Sequence, residues 1–392
     1  MYIHELNNWP HFTWDNDRIT NLLSEVSFLQ GSIIGKMKAL GFDYQREAVL
    51  ASMTDEITKS SEIEGELLNV EEVRSSIARR LDISNEKYIT KNNHYIDGVI
   101  QMMFDATHNY DKELTLERLC GWHAALFPTG YSGMYKIKVG DLRDDRDGPM
   151  QVVSFDMNAE KVYYQAPPAK KLPFYMKKFL YWINHENQTN PIIKTAIAHL
   201  WFITLHPFED GNGRISRAIT DMMFSRAEKS PYRFYSMSAQ IQKEKKKYYN
   251  VLEYTQKGNL DITVWLEWFL RCMAKSIRNS EELVDKIVRK ALYWQEISHV
   301  TLDKNQQKMI NMLLDGFEGK LTSSKWAKIC KCSQDTAGRS IKYLINNNIL
   351  KQEGDGRSTH YTLNYEVSHS LEHYRVRTQN SLFIHPSGNR GR

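Results

Sequence analysis

The sequence predicts a mainly α-helical protein with a β-hairpin inserted in it, and three observations carry that expectation. Apolar residues recur at helical spacing in long stretches, as in Leu22, Leu23, Val26, Leu29 and Ile33, and again over 192–205 and 263–277. Before the last hundred residues, β-prone runs are short and sit close together, at 150–155 and 161–165. The chain then closes on a helix, helix, helix, hairpin order. Its 392 residues, 41% of them hydrophobic, suffice for ordinary cores in one to three domains.

In chain order, residues 1–90 form an N-terminal helical module. It opens with Trp9, Phe12 and Trp14 and contains a second helix over 48–67. Residues 91–290 form the central core. Within it, 141–149 is a charged loop, the two β-prone runs flank 156–159 as a hairpin, and Pro167-Pro168 ends that hairpin. A helix resumes over 172–183, and 192–205 reads as a mostly apolar helix. Gly258-Asn259-Leu260-Asp261 opens another amphipathic helix. Residues 295–370 carry helices at 308–314, 322–329 and 333–347, then two strands around Gly354-Asp355-Gly356-Arg357. That order looks like a winged helix-turn-helix, with 333–347 as recognition helix and 354–358 as wing tip. DNA contact would run through Lys331, Arg339, Lys342 and Arg357, and the alternative use of such a module is protein contact. Residues 371–392 are a tail.

Composition narrows the setting. A net charge of +5 argues neither for nor against nucleic acid. Cys120, Cys272, Cys330 and Cys332 lack zinc-finger spacing, which fits a reducing, cytoplasmic setting without a disulfide frame. The start of the chain has no basic, apolar secretory pattern, and no apolar run is long enough to span a membrane.

The most informative segment is His206-Pro207-Phe208-Glu209-Asp210-Gly211-Asn212-Gly213-Arg214-Ile215-Ser216-Arg217. Gly and Asn tolerate positive φ, so 210–213 reads as a turn between two helices, with its N–H groups at the start of the second. Such a terminus binds anions. Arg214 and Arg217 lie three apart and share a helix face, and two guanidinium forks suit the oxygens of a di- or triphosphate. Asp210 is the lone carboxylate in the turn, and one carboxylate plus phosphate oxygens is a usual way to hold Mg²⁺. His206 titrates near neutral pH and can take a proton from a hydroxyl. Phe208 reads as an apolar anchor.

This segment resembles the signature of the Fic family, His-Pro-Phe-x-Asp-Gly-Asn-Gly-Arg-x-x-Arg, at every specified position. The resemblance implies a helical Fic-fold core and transfer of AMP from ATP to a protein hydroxyl. It makes His206 the general base and Asp210 the Mg²⁺ ligand. It puts Asn212 and the amides of Gly211, Gly213, Ile215 and Ser216 around the phosphates, Arg214 on the phosphate chain and Arg217 on the γ-phosphate. Far upstream, Ser60…Glu64-Gly65 is similar to the inhibitory helix of such proteins, in the class that carries it N-terminally. The resemblance implies a Glu64–Arg217 ion pair in place of an anionic γ-phosphate. The hairpin would be the flap that covers the nucleotide and docks the target by strand addition, with Val162-Tyr163-Tyr164-Gln165 as its second strand. In the basic run 243–249, Tyr248 and Tyr249 would lie against the adenosine. Gln256 stands seven residues after Tyr249, where relatives often have Asn.

The expected function is thus protein AMPylation from Mg·ATP, on a Ser, Thr or Tyr hydroxyl of a target protein or of the chain itself, in a homodimer and without membrane. The alternatives are removal of AMP by the same site with Glu64 activating water, and a DNA-binding regulator whose core senses nucleotide.

Overall fold

The computed structural model describes residues 1–83, 93–146, 148–156 and 159–365. The chain divides into two compact units, one ending at Glu282 and the other beginning at Leu283.

The first unit is helical. It contains α1 (Asn16–Lys38), α2 (Phe42–Ile63), α3 (Val70–Arg80), α4 (His94–His108) and α5 (Leu116–Leu126), followed by two small antiparallel hairpins. These are β1 (Tyr131–Ser132) with β2 (Tyr135–Lys136), and β3 (Gln151–Asp156) with β4 (Ala159–Gln165). Then come α6 (Leu172–His185), α7 (Pro191–Leu205), α8 (Asn212–Glu228), α9 (Met237–Lys243) and α10 (Lys245–Gln256). The long α11 (Thr263–Glu296) runs past the division.

α7 is the axis of this unit. Pro191 stands in its first turn, the Asn190 side chain caps the Ile192 amide at 2.9 Å, and every residue from Ile192 to Leu205 is buried. A helix apolar on all sides has to be surrounded, and α8 and α6 pack on it. The N-terminal aromatics close over the same helix: Trp9 stands edge-on to Phe12 and Trp201. The Arg18 guanidinium pairs with Glu267 at 2.8 Å. Residues 1–83 are thus packed into one unit with the residues that follow.

Two elements differ from their sequence reading. The helix expected over 48–67 ends at Ile63, because Gly65 adopts φ +89° and its N–H turns back to the Glu62 carbonyl at 3.0 Å. A glycine just past the last turn is a common helix stop. The amphipathic helix expected to end at 277 continues to Glu296, since no Gly or Pro interrupts it. The β1–β2 hairpin was not read from the sequence at all, its strands being two residues each.

The second unit holds α12 (Lys304–Leu314), α13 (Ser323–Cys330), α14 (Gln334–Asn346) and the antiparallel pair β5 (Leu350–Glu353) and β6 (His360–Leu363). Trp326, Met309, Ile310, Ile341, Leu344 and Leu363 form its core. The element order matches the expected one. The tail expected at 371–392, the Arg357 side chain and residues 157–158 of the hairpin turn lie outside the described residues.

Candidate active site

The dozen residues from His206 to Arg217 join α7 to α8, and three contacts fix their path. His206 is the residue after α7 and adopts a left-handed conformation, φ +47°. Phe208 is fully buried and stacks on His123 with ring centroids 4.4 Å apart. Asn212 opens α8 and reaches back, its amide donating to the Phe208 carbonyl at 2.8 Å and accepting the Phe208 N–H at 3.0 Å. The Asn212 side chain therefore clips the loop shut. One N–H and the oxygen of its carboxamide are engaged in that clip, and its backbone N–H is also placed for the expected phosphate role.

Gly211 and Gly213 are required by close approach. Gly211 sits at φ +76°, and a Cβ there would lie 2.9 Å from the Phe127 ring. A Cβ on Gly213 would lie 2.0 Å from a Glu64 carboxylate oxygen. The Glu64 side chain is thus laid directly over the first turn of α8, where helix N–H groups favour an anion.

Arg143 braces the loop from outside. Its guanidinium is buried and donates to the His206 carbonyl at 2.7 Å, the Pro167 carbonyl at 2.6 Å and Asp145 at 2.9 Å. The same side chain thereby ties the His206 loop to the base of the β3–β4 hairpin. The sequence reading passed over Arg143, whose only signal was its place in a run of alternating charge.

A cavity of about 590 Å³ lies beside this loop. His206, Asp210, Gly211, Asn212 and Gly213 form one wall, Met150–Val153, Tyr163 and Tyr164 of the hairpin another, and α10 a third. Tyr163 and Tyr164 both reach the wall because the ladder slips by one residue at Val152/Val153, leaving Tyr163 as a bulge. Tyr164 is also anchored, its hydroxyl donating to the Thr204 carbonyl at 2.7 Å. Val162 and Gln165 do not line the cavity. On α10, Tyr248, Tyr249 and Gln256 line it, together with Lys246, Asn250, Leu252 and Glu253, which the sequence reading missed. Positions 246, 249, 250, 253 and 256 form one helical stripe, so Tyr249 and Gln256 already marked the face that carries the rest. The Gln256 amide donates to Thr204 Oγ1 at 3.2 Å.

His206 is half-buried at the cavity. Its Nδ1 lies 3.2 Å from the Ile203 carbonyl. A carbonyl can only accept, so Nδ1 carries the proton and Nε2 keeps its lone pair. Burial pushes the imidazole down to about 4, against the Ile203 hydrogen bond and helped by the Arg143 charge. The ring is therefore a neutral acceptor at physiological pH. Asp210 accepts the Gly211 N–H at 2.6 Å and a hydrogen bond from Ser132 of β1. No group of three or more His, Cys, Asp or Glu side chains that could hold a metal ion occurs among the described residues. A single carboxylate on the cavity wall is what Mg²⁺ needs when phosphates supply the other oxygens, so Asp210 fits the expected ion.

The arginines are arranged differently. Neither lines the cavity. Arg217 is 2% exposed and donates to Glu64 Oε1 at 2.6 Å, to Ser60 Oγ at 2.8 Å and to the Ser60 carbonyl at 2.9 Å. Burial is the largest influence and opposes its charge, but Glu64 with Tyr248 and Tyr249 together hold the guanidinium above its usual value. The expected Glu64–Arg217 pair is thus present, with Ser60 as a second partner. Arg214, expected on the phosphate chain, is 1% exposed and donates to Glu66 at 2.8 Å and to the Tyr95 hydroxyl at 2.6 Å. Ile215 and Ser216 are fully buried on the inner face of α8. Helical rotation carries both side chains away from the cavity, so the expected phosphate contact rests on their amides.

Residues 113–224 match the Fic/DOC family, and residues 2–83 match a domain of unknown function, DUF4172. This stretch of the chain is similar to a Fic/DOC domain. Among curated proteins, the chain is 25% identical over 236 residues to the protein adenylyltransferase Fic of Drosophila virilis. That match covers 59% of this chain and 43% of the relative. The counterpart in Drosophila melanogaster is 29% identical over 132 residues, covering 33% of this chain and 25% of that protein. The chain thus spans less than half of these relatives. Among solved structures, a Fic family protein from Desulfovibrio desulfuricans G20 superposes with a TM-score of 0.55 at 19% identity. The match covers 91% of this chain and 98% of that one, so the two share a fold. No described helix is long and apolar enough to cross a membrane.

Proposed function

We propose that the chain transfers AMP from Mg·ATP to a Ser, Thr or Tyr hydroxyl of a protein, itself included, and that Glu64 holds this activity low. The observation that carries the reading is the His206 imidazole, fixed by Ile203 with Nε2 unprotonated, on one cavity wall with Asp210 and the glycine turn. A hydroxyl brought to Nε2 loses its proton there as its oxygen bonds to the α-phosphorus. The bond from that phosphorus to the bridging oxygen breaks, and pyrophosphate leaves. The amides at the start of α8 are placed to take up charge on the phosphates. A divalent cation held by Asp210 would supply Lewis-acid stabilisation of that charge.

The purine would lie along the α10 stripe, between Tyr249 and the hairpin. Target backbone would add to the hairpin as an extra strand, so the enzyme would read a hydroxyl more than a sequence. Glu64 supports the autoinhibited state because its carboxylate covers the first turn of α8 and pairs with Arg217, both places suited to a γ-phosphate.

The test compares α- and γ-³²P-labelled ATP. Label from the α position that disappears in His206→Ala supports AMP transfer, and label from the γ position would make the reaction phosphorylation.

A second activity is favoured by the C-terminal unit. Lys331, Arg339 and Lys342 are exposed on and beside α14, whose N-terminus is capped by Ser333. A winged helix-turn-helix would set this face in a major groove. A salt-dependent shift of duplex DNA by the full chain, lost in Arg339→Ala/Lys342→Ala, is the expected result.

A further inference from the structure

The turn that carries Glu64 carries a second carboxylate, and that one reaches the other signature arginine. Glu64 caps α2, Gly65 at φ +89° reverses the chain, and the Glu66 N–H closes on the Ser61 carbonyl at 3.0 Å. This tight reversal brings Glu64 and Glu66 onto the same neighbour, α8. Glu64 meets Arg217 at 2.6 Å and Glu66 meets Arg214 at 2.8 Å. Arginines three apart on one helix face are thus each met by an acid from one short turn.

The Arg214 contact has three parts drawn from separate elements. Glu66 comes from the turn after α2, and the Tyr95 hydroxyl, from α4, donates to Glu66 and accepts from Arg214 at 2.6 Å. The guanidinium carbon lies 5.0 Å from the centre of the Phe127 ring, which also underlies Gly211. Arg214 Nε is buried with no hydrogen-bond partner among the described residues. The guanidinium is therefore held without being saturated, and another oxygen ligand could still gain from it. The Glu66 side chain stays 38% exposed, so the acid can leave toward solvent.

We infer that Glu66, locked by Tyr95, is a second inhibitory residue that withholds Arg214 from the phosphate chain of the nucleotide. The inference rests on the nucleotide-binding reading of the site. The inhibitory element is then a two-carboxylate turn hinged at Gly65, and not Glu64 alone. Replacing Glu64 frees Arg217 while Arg214 remains paired. Full release requires the turn to lift as a unit, and a triphosphate competes for both guanidiniums at once. AMP, with no β- or γ-phosphate, has little to displace.

The experiment measures binding of ATP and AMP, each with Mg²⁺, by calorimetry. It uses the full chain in a His206→Ala background that prevents turnover. Glu66→Gln keeps the side-chain size and removes the charge, and Tyr95→Phe removes the lock and leaves both carboxylates. Thermal melts report folding for each variant. Expected is a tightening of ATP binding by roughly fivefold or more in Glu66→Gln, a smaller tightening in Tyr95→Phe, and unchanged AMP affinity. Glu64→Gln with Glu66→Gln should exceed either change alone. ATP affinity unchanged or weakened by Glu66→Gln overturns the inference and makes Glu66 a residue that orients Arg214 for use. If no variant binds ATP, the nucleotide reading falls and the inference falls with it. ATP binding that is indifferent to Glu66 removes only the latch.

Discussion

The reacting side of this site and its arginine side are built on opposite plans. His206 and Asp210 face an open cavity of about 590 Å³, with the imidazole neutral and its Nε2 lone pair free. Just beyond the glycine turn, Arg214 and Arg217 are 1% and 2% exposed and already paired with acids of the same chain. On the proposed function, chemistry is prepared on one side and withheld on the other. The difference would then locate control: the proton acceptor would need no rearrangement, whereas the cations for a phosphate chain would have to be released.

The largest expected effect breaks the prepared side. His206→Ala should lower AMP labelling about a thousandfold while ATP binding persists, because general-base removal costs catalysis and not affinity. Labelling that survives the change would mean that His206 is not the base. Next comes the withheld side. Glu64→Gly frees Arg217 and uncovers the start of α8, and self-labelling should rise roughly tenfold or more. Unchanged labelling in a folded protein would show that the Glu64–Arg217 contact is structural only.

Arg143 joins the two plans, since it spans the His206 carbonyl and the hairpin base. Arg143→Met should leave the His206 and Pro167 carbonyls without this donor and Asp145 with only the Ala169 N–H among the described residues, lowering stability by about 2–4 kcal/mol. Labelling should fall with it, as both the base and the hairpin lose their reference point. A variant with unchanged melting temperature and rate would remove Arg143 from the account.

The prepared side was legible in the sequence because it is local. His206, Asp210, both glycines and both arginines fall within a dozen residues, and turn chemistry with helical spacing orders them. The Ser60…Glu64-Gly65 pattern was also readable as a short motif. What escaped comes from distant chain. Arg143 lies 63 residues from His206, Ser132 lies 78 from Asp210, and Glu66 lies 148 from Arg214. None has a local signature, since a lone Arg, Ser or Glu reads as solvated surface until the fold buries it. The end of α2 escaped by four residues for a related reason: Gly65 was visible, but its positive φ belongs to the folded turn.

Acid should separate the two sides as well. His206 and His123 are lowered to about 4 and His199 to about 3, each chiefly by burial, from a usual value near 6.5. Between these limits the unfolded chain binds more protons, so stability rises with pH through the window. The contribution is complete above pH 6.5 and is lost as pH falls toward 4. Melting temperature should therefore drop between pH 7 and pH 4.5, while His206 stays a neutral base over most of that range. A flat melting profile would contradict the buried neutral imidazoles.

The smallest effect sharpens the comparison at the purine end. Gln256 lines the cavity and is tied only by one 3.2 Å hydrogen bond to Thr204 Oγ1. Gln256→Asn removes a methylene and with it the reach to Thr204, and the amide becomes free to turn toward a base. If the open side is as mouldable as its space implies, KM for ATP should shift by less than about threefold and kcat should hold, since a single neutral hydrogen bond contributes only about 1 kcal/mol. A tenfold loss would place a second constrained contact in the open cavity. Control would then be shared between purine and phosphate ends, and the division drawn between a prepared and a withheld side would have to move.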